Sequence, residues 1–406
     1  MSKRQAKTSS ALRVPYALAV FGNEERQAVA EVLKTPMIVP GARVKKFEGI
    51  IAKLFAKKYG VMVNSGSSAN LIAFEIMNLP RGSEVITPVL TFGTTLAPIL
   101  QKGLVPVFAD VIVGDYTINI DQIEKLITKK TRALMIPSLI GNIPDFCRLR
   151  KIADKHKIWL IEDSCDTLGP KLYGKSTGSF TDISTTSFYA SHIITAAGSG
   201  GMICLNSPEL YKHAKTLAGW GRASAINESE EASQRFKGRI DGIPYDGKFI
   251  FIDAGYNFQS TEIAAAFALE QLKKFKNFFA IRQRNFNKLL VFFKQFENLF
   301  ILPKTHPAAE TVWLAFPLVL RDKAPFARAE LVKYLEEHNI QTRPIFTGNV
   351  LRQPAFKGIK CRRLKGGYPA SDLVMRGSLL IGCHHGLEDK HIEYLKEVFT
   401  DFLKKY

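Results

Sequence analysis

Four short stretches of this chain carry side chains whose types and spacing suit a single chemistry. The first, Asn64-Ser65-Gly66-Ser67-Ser68-Ala69-Asn70, stands between an apolar run and a helical pattern. Backbone N–H groups at a helix N-terminus, small hydroxyls and a glycine that permits close approach make a cradle for a phosphate. The same turn also reads as an ordinary helix cap. In the second stretch, Thr87-Pro88-Val89-Leu90-Thr91-Phe92-Gly93, Phe92 follows another apolar run, placed to stack on a flat ring or to enter the core. The third, Ile161-Glu162-Asp163-Ser164-Cys165-Asp166, ends a run in carboxylates. A carboxylate there can cap a loop, or can pair with a protonated pyridine nitrogen and keep that ring an electron sink. The fourth, Thr186-Ser187-Phe188-Tyr189-Ala190-Ser191-His192, leads into the turn Gly198-Ser199-Gly200-Gly201. An imidazole at position 192 either fills a core or takes and gives protons near pH 7. Each stretch alone has a structural use, and their conjunction in this order points to the chemistry.

The elements that must position these stretches alternate. Apolar strand patterns at 61–64, 84–88, 105–109, 133–137, 159–162, 184–189 and 202–205 are separated by helical ones at 67–77, 94–102 and 146–156. That alternation predicts an α/β fold, a mostly parallel sheet with helices on both faces, and ligands at the carboxyl ends of its strands. A polar stretch from Arg222 to Lys248 reads as a long loop. Helical periodicity over Thr261 to Phe275, continuing to about Gln295, predicts a helix linking two domains. The remainder mixes strands (312–320, 378–382) with helices (326–338, 389–404), which predicts a smaller α+β domain. The expected division is 1–275 for an N-terminal arm and large domain, and 276–406 for the second.

The 406 residues are enough for a large core, and 46% hydrophobic with 23% charged is the composition of a globular chain. No run approaches the ~20 apolar residues of a membrane span. Lys3, Arg4, Lys7 and Arg13 precede an apolar stretch, Tyr16 to Phe21, that is too short for a signal peptide. Five widely spaced cysteines, Cys147, Cys165, Cys204, Cys361 and Cys383, fit neither a disulfide framework nor a metal template, so the expected setting is a reducing cytoplasm. A net charge of +19 suggests nucleic acid, but the basic residues are dispersed and no nucleic-acid motif accompanies them. Attraction of an anionic small molecule, or a simply solvated surface, uses the charge better.

Further motifs join the four stretches: the opening Phe21-Gly22-Asn23-Glu24-Glu25, Gly141-Asn142, Gly255-Tyr256-Asn257, Arg343-Pro344-Ile345-Phe346-Thr347-Gly348-Asn349 and Leu351-Arg352-Gln353-Pro354. Together they resemble the DegT/DnrJ/EryC1/StrS family of nucleotide-sugar-modifying enzymes, which depend on pyridoxal phosphate (PLP) and have the aspartate aminotransferase-like fold type I. The resemblance runs nearly the length of the chain. Most members carry a lysine where this chain has His192, and that exchange is similar to the histidine-containing sugar 3-dehydratases of the GDP-4-keto-6-deoxymannose 3-dehydratase type.

The resemblance implies PLP or pyridoxamine phosphate (PMP) bound without a covalent link. It makes Asp163 the partner of the pyridine nitrogen and sets Asp166 near the ring's 3-hydroxyl. Gly66, Ser67, Ser68 and Ser187 would hold the phosphate, with Phe92 on the ring. Asn257 would reach the phosphate of a neighbouring subunit in a homodimer with shared sites. Arg343 would contact substrate, or be a surface arginine. The implied reaction removes the C3 hydroxyl of a nucleotide-linked 4-keto-6-deoxyhexose, with His192 as catalytic acid and base and L-glutamate regenerating PMP. A related branch carries an iron–sulfur cluster on cysteines before the Gly-Tyr-Asn segment; residues 206–360 here have none, which favours the reductase-free branch. A nucleotide-sugar aminotransferase and a non-catalytic PLP-binding regulator are the competing expectations.

Overall fold

The computed structural model describes residues 12–226 and 235–406. Lys3, Arg4 and Lys7 lie outside the described residues, as does part of the polar stretch. Two helices, α1 (Asn23–Leu33) and α2 (Ala42–Leu54), lead into a seven-stranded sheet. Its strands are β1 (Tyr59–Val63), β2 (Glu84–Pro88), β3 (Val105–Ala109), β4 (Thr131–Pro137), β5 (Trp159–Ser164), β6 (Ile183–Ser187) and β7 (Gly201–Leu205). The order is β1-β7-β6-β5-β4-β2-β3. Only β7 runs against its neighbours β1 and β6; the other pairings are parallel. Parallel strands need crossovers, and here helices α3 (Gly66–Met77), α4 (Gly93–Gln101) and α5 (Phe146–His156) supply three of them. Covered on both faces, β2 is buried throughout, so Glu84-Val85-Ile86-Thr87-Pro88 shows no alternation of buried and exposed positions.

Helix α6 (Pro208–Ala218) precedes the polar stretch, and α7 (Glu262–Phe293), 32 residues long, follows it. The core partners of α7 change along its length. Ala265, Ala268 and Phe278 pack with Phe47 and Met202 beside the large sheet, whereas Phe286, Leu289 and Phe293 join Phe316 and Phe399 in a second core. That core is built on an antiparallel sheet of order β8-β9-β11-β10, with β8 (Phe300–Ile301), β9 (Phe316–Leu320), β10 (Thr342–Arg343) and β11 (Ser378–Ile381). Helices at Arg328–Glu337 and Asp389–Leu403 cover it. No helix among the described residues is long and apolar enough to cross a membrane.

Two expectations are corrected. The stretch 222–248 is not a featureless loop: strands Gly238–Ile240 and Ile243–Tyr245 pair antiparallel across Asp241-Gly242. Both turn residues have positive φ, +50° and +84°, which matches the primed turn that Asp-Gly favours in two-residue hairpins. The strand expected at 312–320 starts only at Phe316. Residues before it run along the cavity described next, where the Leu314 amide bonds to the Ile140 carbonyl at 2.7 Å.

Candidate active site

A cavity of about 640 Å3 opens at the carboxyl ends of β1, β2, β5 and β6. That volume suits a small organic ligand. Two helix N-termini edge it. Ser65 caps α3 by accepting the Ser68 amide at 3.1 Å, and Phe92 is the N-cap of α4. Gly66 and Ser67 line the cavity, and the Ser67 hydroxyl donates to Thr94 Oγ1 at 2.9 Å, so the two helix starts are joined. Positive ends of helix dipoles and small hydroxyls in one place favour an anion. Gly66 has no alternative: a Cβ there would lie 2.7 Å from Cys165 Sγ and from the Ser187 Cβ. Ser187, at the end of β6, faces the same space.

Asp163 closes the floor and is 5% exposed. Its Oδ2 accepts from Asn70 Nδ2 at 2.9 Å and Thr95 Oγ1 at 2.8 Å; its Oδ1 accepts the Cys165 amide at 3.1 Å. Asn70 is itself oriented, because Thr185 donates to its Oδ1 at 2.6 Å and leaves the amide nitrogen for Asp163. Every partner is neutral, and among the described residues no cation lies within ion-pair distance of this carboxylate. A buried carboxylate of that kind is completed by a ligand carrying positive charge. A protonated pyridine nitrogen is such a group. Phe92, 51% exposed with its ring edge-on to Phe346 at 5.6 Å, stands at the cavity wall as an aromatic surface for a flat ring. The residues present therefore fit a phosphorylated pyridine cofactor.

His192 faces the cavity from the loop between β6 and β7. Its Nδ1 lies 3.4 Å from the Ser187 carbonyl oxygen, which can only accept. The ring proton therefore sits on Nδ1, and Nε2 is left as a bare lone pair, 4.0 Å from Asp166 Oδ1. Burial, with the Arg282 charge adding to it against the Ser187 bond, pushes the imidazole down to about 4. In this cavity the imidazole is a neutral base. Asp166 moves the other way. Burial, with Asp163 nearby, lifts it to about 7 against the Ile140 amide bond of 2.8 Å. Ile140 makes that bond with φ +57°, a conformation costing a β-branched residue about 1–3 kcal/mol. Gly141, φ +88°, follows because a Cβ would lie 2.3 Å from the Val312 carbonyl oxygen.

Arg343 also lines the cavity, its guanidinium 5.7 Å from the Tyr16 ring centroid. No lysine is among the described residues that line it. Two residues of the expected site do not line this cavity, one of them, Asn257, expected at a neighbouring subunit's phosphate. The Ser68 hydroxyl turns back to donate to Asn64 Oδ1 at 2.7 Å, completing the helix cap rather than the cavity wall. Asn257 is exposed and does not line this cavity. Sequence reasoning missed Asn70 and Thr95, whose signal was a polar side chain on the buried face of α3 and of α4. It also missed Tyr16 and Arg282.

Comparison with known proteins follows the same lines. Residues 20–400 match the model of the DegT/DnrJ/EryC1/StrS aminotransferase family. A dTDP-4-dehydro-2,6-dideoxy-D-glucose 3-dehydratase of Saccharopolyspora spinosa is 36% identical, over 95% of this chain and 86% of its own length. A GDP-4-keto-6-deoxy-D-mannose 3-dehydratase of Yersinia pseudotuberculosis is 31% identical, over 92% of this chain and 94% of its own. A crystal structure of a GDP-4-keto-6-deoxymannose-3-dehydratase with a trapped PLP-glutamate geminal diamine superposes with a TM-score of 0.85 at 28% identity, covering 95% of this chain and 99% of that one.

Proposed function

Since the chain belongs to the DegT/DnrJ/EryC1/StrS aminotransferase family, we propose that it is a PLP- and PMP-dependent 3-dehydratase of a nucleotide-linked 4-keto-6-deoxyhexose, acting in deoxysugar biosynthesis with L-glutamate as amino donor. The observation that carries this reading is a cofactor-shaped cavity with a histidine, His192, and no lysine on its described walls. The likeness to 3-dehydratases of known sugars supports it.

When bound, the cofactor would supply an amine for the sugar C4 ketone and a ring that takes up the electron pair left by the C4′ proton and returns it as the C3–O bond breaks. The chain supplies the rest. Gly66, Ser67 and Ser187 hold the phosphate at the α3 terminus, and Phe92 lies against the ring. Asp163 keeps the pyridine nitrogen protonated, and Asp166 sits by the 3-hydroxyl. Nε2 of His192 takes the proton from the C4′ carbon. The protonated imidazole so formed is a strong acid in this buried setting, and gives its proton to the departing C3 hydroxyl. With no lysine on the described walls to take the cofactor back by amine exchange, water would cleave the bond between cofactor and sugar nitrogen, and the freed nitrogen-bearing sugar would hydrolyse to a 3-deoxy ketone and ammonia. Arg343, beside Tyr16 at the cavity wall, contacts the substrate.

We further assign a homodimer with shared sites, supported by the exposed Tyr245, Phe249 and Phe251 that precede the exposed Asn257, and by the exposed Trp220, whose amide donates to the Tyr256 carbonyl. The cysteine-free stretch 206–360 supports turnover without an iron–sulfur reductase. Mass spectrometry of nucleotide-4-keto-6-deoxy sugars incubated with protein, PLP and glutamate tests the whole reading. A 3-deoxy product with released ammonia is expected. An amino sugar in its place would make the protein an aminotransferase, and an absolute need for an added electron donor would move it to the iron–sulfur branch.

A further inference from the structure

Arg282 is a charged group that the reaction leaves unexplained. It lies on α7 and is 1% exposed, yet among the described residues no carboxylate stands within ion-pair distance of it. Its three bonds go to uncharged acceptors in three separate segments. Nη2 donates to the His192 carbonyl oxygen at 3.3 Å, Nη1 to the Leu314 carbonyl oxygen at 3.1 Å, and Nε to His385 Nδ1 at 3.1 Å. From Leu314 the connection continues: its amide donates to the Ile140 carbonyl, and the Ile140 amide donates to Asp166 Oδ2. Asp166 Oδ1 then faces His192 Nε2 across 4.0 Å. The bonds form a ring around the cavity floor that starts at the backbone of His192 and ends at its side chain.

A buried guanidinium without a counter-ion is costly, and a mere tie between segments needs no charge. We propose that Arg282 is a positioning residue for His192: its fork fixes the loop that carries the imidazole against the wall that carries Asp166, and its uncompensated positive charge adds to burial in opposing a second charge there. This rests on the reading of His192 as the base. A base that must accept a proton from carbon has to be unprotonated when substrate arrives, and a cation held close by opposes premature protonation. The other groups facing His192 are Asp163 and Asp166 from the end of β5, Tyr189 on its own loop with ring centroids 5.9 Å apart, and Tyr16 and Arg343 across the cavity. Asp163 pulls in the opposite sense from Arg282, so removing Arg282 leaves His192 under its influence.

The test is the titration of His192 in the full-length, substrate-free protein by NMR of ring-labelled histidine, its resonance identified by loss in a His192→Asn variant. In Arg282→Gln the imidazole pKa is expected to rise by at least one unit, a tenfold stronger hold on the proton, and kcat to fall more than tenfold with KM within twofold. A folded Arg282→Gln protein whose His192 titrates as in the parent overturns the proposal, whatever its rate. If Arg282→Gln does not fold, Arg282→Lys serves. It keeps the charge but not the fork, so the pKa stays low while kcat falls about tenfold; an unchanged kcat overturns the proposal. A His192→Asn variant that still dehydrates would remove the base reading alone, and the titration would stand apart from it.

Discussion

Glu162 and Asp163 are consecutive residues of β5, both buried, and they point to opposite faces of one sheet. Glu162 enters a closed cage of hydroxyls. Ser164 and Thr177 donate to Oε1, Ser184 donates to Oε2 at 2.9 Å, and Lys57 lies beyond. Its donors come from β5, β6 and the turn at Thr177–Phe180, so both of its oxygens are bonded by the fold itself. Asp163 has as many donors, yet it faces a cavity and no cation. Burial and hydrogen bonding alone do not separate the two. What separates them is unspent charge facing open volume, and that is the mark of a binding group.

The largest effect follows from removing that charge. Asp163→Asn is expected to retain the fold, since the amide oxygen can still accept from Asn70 and Thr95 and only the bond from the Cys165 amide is lost, while turnover falls about a thousandfold, roughly 4 kcal/mol of transition-state stabilisation. An amide cannot hold a pyridine nitrogen protonated. The glutamate half-reaction, followed by cofactor absorbance, reads this out, and an unchanged rate would place the electron sink elsewhere.

Next in size is His192→Lys. The amine is expected to bond covalently to PLP, so that borohydride treatment leaves one phosphopyridoxyl mass on the variant and none on the parent. Dehydration should drop about 10²- to 10⁴-fold, the usual worth of a positioned acid–base group. The mass change needs no glutamate, so the two measurements are independent. Near-normal formation of 3-deoxy sugar by the lysine variant would show that the imidazole is not the base.

A third effect is on stability. His192, His384 and His385 are buried and held neutral, their pKa values lowered by burial to about 4, 3 and 2. All three surround or adjoin Arg282, whose charge adds to the lowering. Unfolded, each imidazole binds a proton below about 6.5, whereas folded it does not until far lower pH. The unfolded chain therefore holds more protons between about pH 6.5 and 4. Their contribution to stability is full above the unfolded value and is lost as pH falls through that window. The melting temperature is expected to decline steeply below pH 6.5, and His385→Gln to flatten the decline. A parent melting curve independent of pH between 6.5 and 4 would refute the neutral cluster.

Legibility in the sequence followed the same divide as the two carboxylates. The bounds of β2, β3 and α5 agree with the sequence pattern because each is a complete local signal. For α5 that signal is Asp145 as N-cap, one apolar face, and Lys157 in the left-handed cap position. His192, Asp163, Asp166, Phe92, Gly66, Ser67, Ser187 and Arg343 share one cavity because strand ends and helix starts are local features that the alternation brings to one edge. Arg282 was not legible, since its partners His192, Leu314 and His385 are scattered along the chain and only the packed structure joins them. Nor was the turning-in of Ser68, which is decided by competition between one cap and one ligand. The 238–245 hairpin was legible in Asp241-Gly242 but hidden by the polarity around it.

The smallest effect belongs to the other face of β5 and tests the comparison most directly. Burial raises the Glu162 pKa, with the hydroxyl bonds and Lys57 opposing it. A folded pKa above the unfolded one means that its contribution to stability is full below the unfolded value and is lost as pH rises through the folded value. Glu162→Gln carries no such proton. Its amide oxygen can accept from Ser164 and Thr177, and the Ser184 hydroxyl can rotate to accept from the amide nitrogen. Turnover is expected to stay within about twofold of the parent, under 0.5 kcal/mol. The difference in melting temperature, variant minus parent, should grow in the variant's favour as pH rises above the unfolded value of about 4.5. If Glu162→Gln instead lost activity on the scale of Asp163→Asn, charge facing open volume would no longer be what distinguishes the two neighbours, and the cage would have to be counted part of the site.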